Sequence, residues 1–136
     1  MNLESTAYFA DGTFDINDKT RVSLGVRRTT DEFTNKQDNS VFMIIPGVGK
    51  MIAAQTCQRE TTNEYNSTTS RAVVQHDLSD DTNLYVSFSE GFKAGGYATY
   101  ECAPPYAPEE VTSFEFGFKG TVSDNTTLNM SMFRYD

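Results

Sequence analysis

His76 is the sole histidine of the chain, so any general-base chemistry on an imidazole rests on it. A nucleophilic triad needs a Ser or Cys within hydrogen-bond reach of that base, and a third group that orients it. His76 instead alternates with Val74 and Leu78 on the apolar side of an extended segment, and no triad assembles around it. Cys57 and Cys102 fall in predicted loops with no histidine beside them and fit no zinc spacing. A disulfide between them and two free thiols are both open readings. The carboxylate pairs Asp80-Asp81 and Glu109-Glu110 could attract cations, but each lies in a polar turn or loop, where solvated side chains are the rule. Gly95-Gly96 after Lys93 is no phosphate loop, because the glycine spacing is wrong and no helix follows. These glycines read as shaping a strand exit. Two sets of residues remain. Tyr97, Tyr100 and Tyr106 crowd one loop and could contact a ligand or simply pack it. Arg27, Glu115 and Lys119 sit on the polar sides of alternating segments. The residues thus indicate no enzyme, no metal site and no cofactor.

Composition narrows the partners. The net charge of −8 argues against a nucleic-acid surface, which needs clustered Lys and Arg. The chain of 136 residues is one domain or a piece of a larger one, only 38% hydrophobic and without Trp. No apolar run reaches the roughly 18 residues of a membrane helix. A membrane barrel remains open, since a spanning strand needs only about ten residues of alternating pattern. Met1 is followed by the polar run Asn2 to Ser5, apart from Leu3, with no basic or apolar leader. The expectation is that the gene product begins earlier, and that Tyr135-Asp136 is a cut strand.

The elements that position these residues are β-strands of period 2. Six are expected: Ser5–Ile16, Thr20–Thr30, Thr68–Leu78, Asn83–Lys93, Glu110–Val122 and Thr126–Tyr135. Val22, Leu24 and Val26 alternate with Arg21, Ser23, Gly25 and Arg27. Phe114, Phe116 and Phe118 alternate with Ser113, Glu115, Gly117 and Lys119. Asx-rich turns at Asn17–Lys19, Ser79–Thr82 and Ser123–Asn125 close three hairpins. Between them lie two long connections. From Asp31 to about Asn66 alternation collapses around the apolar island Val41–Ala54, broken by Pro46, Gly47 and Gly49. This is expected to be a long loop holding a short helix or a small hairpin. The second connection, Ala94 to Glu109, holds the tyrosines. Tight turns at one end, long loops at the other, and strands of ten or more residues indicate an antiparallel up-and-down meander, an arc of a transmembrane β-barrel. In that reading Arg27, Glu115 and Lys119 are lumen-wall charges. A soluble or secreted β-sandwich binding module is the alternative; a small barrel enzyme of lipase type would need a nucleophile and base on one rim.

Three segments carry a closer likeness: STAYFADGTFDINDKTRVSLGVRRTTDE, HDLSDDTNLYVSFSEGFKAGGY and APEEVTSFEFGFKGTVSDNTTLNMSMFRYD. In this order they resemble the β-barrel of TonB-dependent outer-membrane receptors, Tyr85–Tyr97 and Pro108–Lys119 most specifically. The resemblance implies a barrel of about 22 strands with a plugged lumen, in the bacterial outer membrane. Residues 1–136 would be a partial barrel domain, with the plug and the remaining strands absent. It further implies outer-membrane lipid, the rest of the barrel and the plug as partners, TonB engaged through an N-terminal region not present here, and a scarce nutrient as cargo, most often an iron–siderophore complex.

Overall fold

Alternation of apolar and polar residues makes an extended chain amphipathic, and six such stretches pair side by side. The computed structural model describes residues 1–98 and 104–136, and within them the side chains of all but 39–42 and 52–57. The strands are β1 (Asn2–Asn17), β2 (Thr20–Ile45), β3 (Gly49–Ser79), β4 (Thr82–Lys93), β5 (Glu109–Ser123) and β6 (Thr126–Tyr135). They form one sheet in the order β1-β2-β3-β4-β5-β6. The β3–β4, β4–β5 and β5–β6 ladders are antiparallel. The expected all-β meander is therefore the observed one, with each tight turn where the Asx residues put it.

The chain divides into two units, of which the larger comprises residues 7–29, 67–93 and 109–136. All three tight turns lie at one end of it. The amide of Asp77 donates to the Lys19 carbonyl at 2.8 Å, tying the first turn to the second hairpin, and the amide of Thr121 donates to the Asp81 carbonyl at 3.1 Å, tying the second to the third. Among the described residues no non-glycine residue has positive φ, so these turns do not use the mirror-image types whose twist matches a hairpin. Irregularities in the ladder at Asp77/Ser79 and Thr121/Ser123, beside the last two turns, absorb the mismatch.

Register then sorts the side chains. Val74, Val86, Phe116 and Met132 form one cross-strand row; His76, Leu84, Phe118 and Met130 form the next. Thr20 Oγ1 lies 2.9 Å from His76 Nδ1, which places Thr20, Val22 and Leu24 on the same face. The rings of Phe88 and Phe114, directly opposed, stand 5.1 Å apart at 53°. Among the described residues nothing covers this face: Leu24, Phe114, Phe116, Met130 and Met132 are exposed, Met132 at 73%, while Val22 and Phe118 are half-buried. Among the described residues no large side chain is fully buried. The second layer that a sandwich requires has no counterpart in this unit.

The smaller unit comprises residues 1–6, 30–66 and 94–108, and here one expectation fails. The predicted loop from Asp31 to Asn66 is a continuation of β2 and β3 as a hairpin turning at residues 46–48. Cross-strand hydrogen bonds from Thr30 to Asn66 (2.8 Å) and between Thr34 and Thr62 (3.1 Å) hold the arms, with Lys36 paired to Glu60 at 3.1 Å. Both faces of these arms carry polar residues, so the period-2 signal that depends on one buried face vanishes although the strands persist. Gly47 and Gly49 take φ values of 83° and 101°, which L side chains rarely adopt, and so make the reversal. The apolar island is its tip, with Ile44 and Val48 exposed. Among the described residues the buried side chains of this unit are Tyr97, Asn35 and Gln37, the last donating to the Ala98 carbonyl at 2.7 Å.

Candidate functional site

One set of charged and hydroxyl side chains falls on the polar face of the larger unit, where alternation puts every second side chain of its strands. Near the turns, Arg21 lies 3.5 Å from Asp77 and 4.0 Å from Asp15, and Gln75 donates to Asp77 at 3.3 Å. Thr13 and Ser23 hydroxyls meet at 2.8 Å. On β4 and β5, the Tyr85 hydroxyl donates to Glu115 at 2.5 Å, and Lys119 Nζ stands 5.2 Å from the centre of the Tyr85 ring. Tyr85 can lie flat because Gly117 opposes it: a Cβ there would run into the ring. One phenol thus links a carboxylate and an ammonium two rows apart, using the weak attraction of a cation for a π face.

Of the expected wall charges, Glu115 and Lys119 are joined through Tyr85, while Arg27 belongs elsewhere. It lies on β2, its Nε donating to Thr29 Oγ1 at 3.1 Å. It lines a hollow of about 280 Å³ with Phe9, Asp11, Gly25, Arg71 and Ser89. Alternation alone does not single out Tyr85 and Arg71, although both stand on polar-face positions of the expected strands. Only the pairing sets Tyr85 against Gly117 and Arg71 against Gly25.

The tyrosines of the second loop differ in burial. Gly96 and Tyr106 form a two-way backbone bridge, at 2.8 and 3.3 Å. Tyr106 is half exposed, whereas Tyr97 is buried, its ring 6.2 Å from that of Phe33. Tyr100 lies outside the described residues. At the mouth of this loop Lys93 pairs with Glu109 at 3.1 Å, so one of the loop carboxylates has a cation of its own. Cys57 was expected in a loop, but its backbone lies within β3, because the arms of the hairpin carry the strand past it. Its side chain and Cys102 lie outside the description, and so does any bond between them. Among the described residues no three His, Cys, Asp or Glu side chains cluster as metal ligands.

Comparison with known proteins gives two findings. Residues 2–136 match the family model described as TonB dependent receptor-like, β-barrel. The fold is similar to the crystal structure of the ferric yersiniabactin uptake receptor FyuA from Yersinia pestis, with a TM-score of 0.79 at 18% identity over 98% of this chain. The chain spans 20% of that receptor's length. No curated protein matches it.

Proposed function

The chain belongs to the TonB-dependent receptor-like β-barrel family, and from that premise we propose that it is an arc of barrel wall through which a bacterium takes up a scarce nutrient across its outer membrane. The nutrient is an iron–siderophore complex. Residues 1–136 are a partial barrel domain; lipid meets the apolar face, and the remaining strands and a plug complete the lumen. Cargo is held by outer loops and wall, and released by plug displacement driven through TonB. Family membership is what carries this reading. A single-layer sheet with an uncovered Val, Leu, Phe and Met face supports it, since such a face is stable against hydrocarbon and not against water. So does the length of β2 and β3, 26 and 31 residues against the roughly ten that span a bilayer. In this reading Tyr106 and Tyr100 of the second loop are the candidate ligand contacts, and the buried Tyr97 holds the loop's shape. The similar FyuA is a ferric yersiniabactin uptake receptor, which favours iron over other nutrients.

The test is uptake of radiolabelled ferric siderophores by cells starved of iron, with the gene intact, disrupted and restored. TonB-dependent uptake lost on disruption is expected. Uptake unchanged for every chelate offered overturns the iron assignment.

A further inference from the structure

We propose that the hollow around Arg27 and Arg71 is a binding subsite for an oxyanion, a carboxylate or phosphate, carried on a small apolar body. It rests on the reading of this face as a lumen wall. In a chain of net charge −8, two arginines here line one depression, diagonal neighbours on β2 and β3. Among the described residues neither guanidinium has a carboxylate within ion-pair distance, and Arg27 is engaged only by the Thr29 hydroxyl. The arrangement is built. With Thr13 opposite Ser23, Asp11 falls opposite Gly25. A Cβ on Gly25 would stand 2.9 Å from Arg71 Cγ and 2.6 Å from Asp11 Oδ2. The missing side chain is therefore the bed in which the Arg71 stem lies.

The acids nearby do not cancel this charge. Glu90 borders the hollow, but its carboxylate accepts from the Ser70 amide at 2.9 Å and the Ser70 hydroxyl at 2.7 Å. Asp11 alone remains against two cations. Guanidinium forks match carboxylate and phosphate oxygens two at a time, which a lysine would not do. Thr69 and Ser89 add hydroxyls at the floor, and the exposed ring of Phe9 offers an apolar wall beside Arg27.

The full receptor, purified in detergent, is titrated with 4-fluorobenzoate and followed by fluorine NMR. 4-Fluorophenyl phosphate is titrated as the second anion, and 4-fluorobenzyl alcohol as the neutral control. Saturable, salt-sensitive binding with a Kd of about 1 mM is expected for at least one anion and not for the alcohol. The stronger anion identifies the preferred head group. R71Q should weaken it about tenfold, and R27Q/R71Q abolish it. R71K, which keeps the charge and loses the fork, should fall between, so the result does not hang on the double variant inserting correctly. Lys19→Gln, a cation in the first turn, should change nothing. Absent binding, binding of the alcohol alike, or binding retained in R27Q/R71Q overturns the subsite. Siderophore uptake by the same wild-type receptor is scored separately, so loss of the subsite and loss of the uptake reading are told apart.

Discussion

Tyr85 shows how a wall residue is held without a core. Its ring needs the empty position at Gly117, and its hydroxyl needs Glu115. Removing the hydroxyl as Tyr85→Phe should cost about 1 kcal/mol, the usual net worth of one such bond. Filling the gap as Gly117→Val should cost more, about 1–3 kcal/mol, because ring and methyls compete for one space. Urea unfolding of the receptor in lipid vesicles gives the order; a milder effect at Gly117 would mean the ring simply swings away. Neither partner announces itself in the sequence. Tyr85 reads as one more aromatic on an alternating strand, and only the β4–β5 register gives it Gly117. The faces were legible here and the contacts across them were not.

At the scale of the strand, hydropathy decides legibility. Alternation marks β4, β5 and β6 to within a residue of their ends because each has one apolar and one polar side along its length. It marks less than half of β2 and β3 because the apolar side stops near Thr30 and Thr68 while the backbone pairing does not. The same face predicts what a charge does. Phe116 is the middle residue of β5, so Phe116→Arg puts a guanidinium near the bilayer midplane and should cost about 2–4 kcal/mol. Ser87→Arg, opposite Glu115 on the polar face, should be close to neutral. Equal costs in vesicle unfolding would show that the faces are wrongly assigned. The tip makes its own demand: Gly47→Val forces a branched side chain to a φ of 83°, a cost of about 1–2 kcal/mol, seen as faster protease nicking within 43–51 while the rest of the barrel survives.

For the molecule as a whole, sidedness is the testable claim. The three tight turns share an end of the larger unit, and strands β4 and β5 leave and rejoin it at the other, at Lys93 and Glu109. Single cysteines at Asp81 and Glu109, in a receptor otherwise free of cysteine, should react differently. An impermeant maleimide on intact cells should label Glu109→Cys and spare Asp81→Cys until the outer membrane is permeabilised. The reverse pattern would invert the barrel. The 136 residues alone leave the outer edges of β1 and β6 unpaired and one face apolar, so in buffer without detergent they should aggregate and not give a monodisperse monomer by light scattering.

The matched arms of β2 and β3 also limit how such a hairpin can change over generations. Thr30 faces Asn66, Thr34 faces Thr62 and Lys36 faces Glu60, one residue given up on each arm for every step outward. Loss of a single residue from one arm would turn every side chain beyond it to the opposite face. Loss of one from each arm beyond those pairs would shorten the hairpin and leave all of them intact. Length variants of this hairpin that still fold should therefore differ by even numbers of residues, split equally about Pro46–Gly49, and a tip reshaped in such paired steps could escape its binder while the Thr30–Asn66, Thr34–Thr62 and Lys36–Glu60 pairs stay as they are.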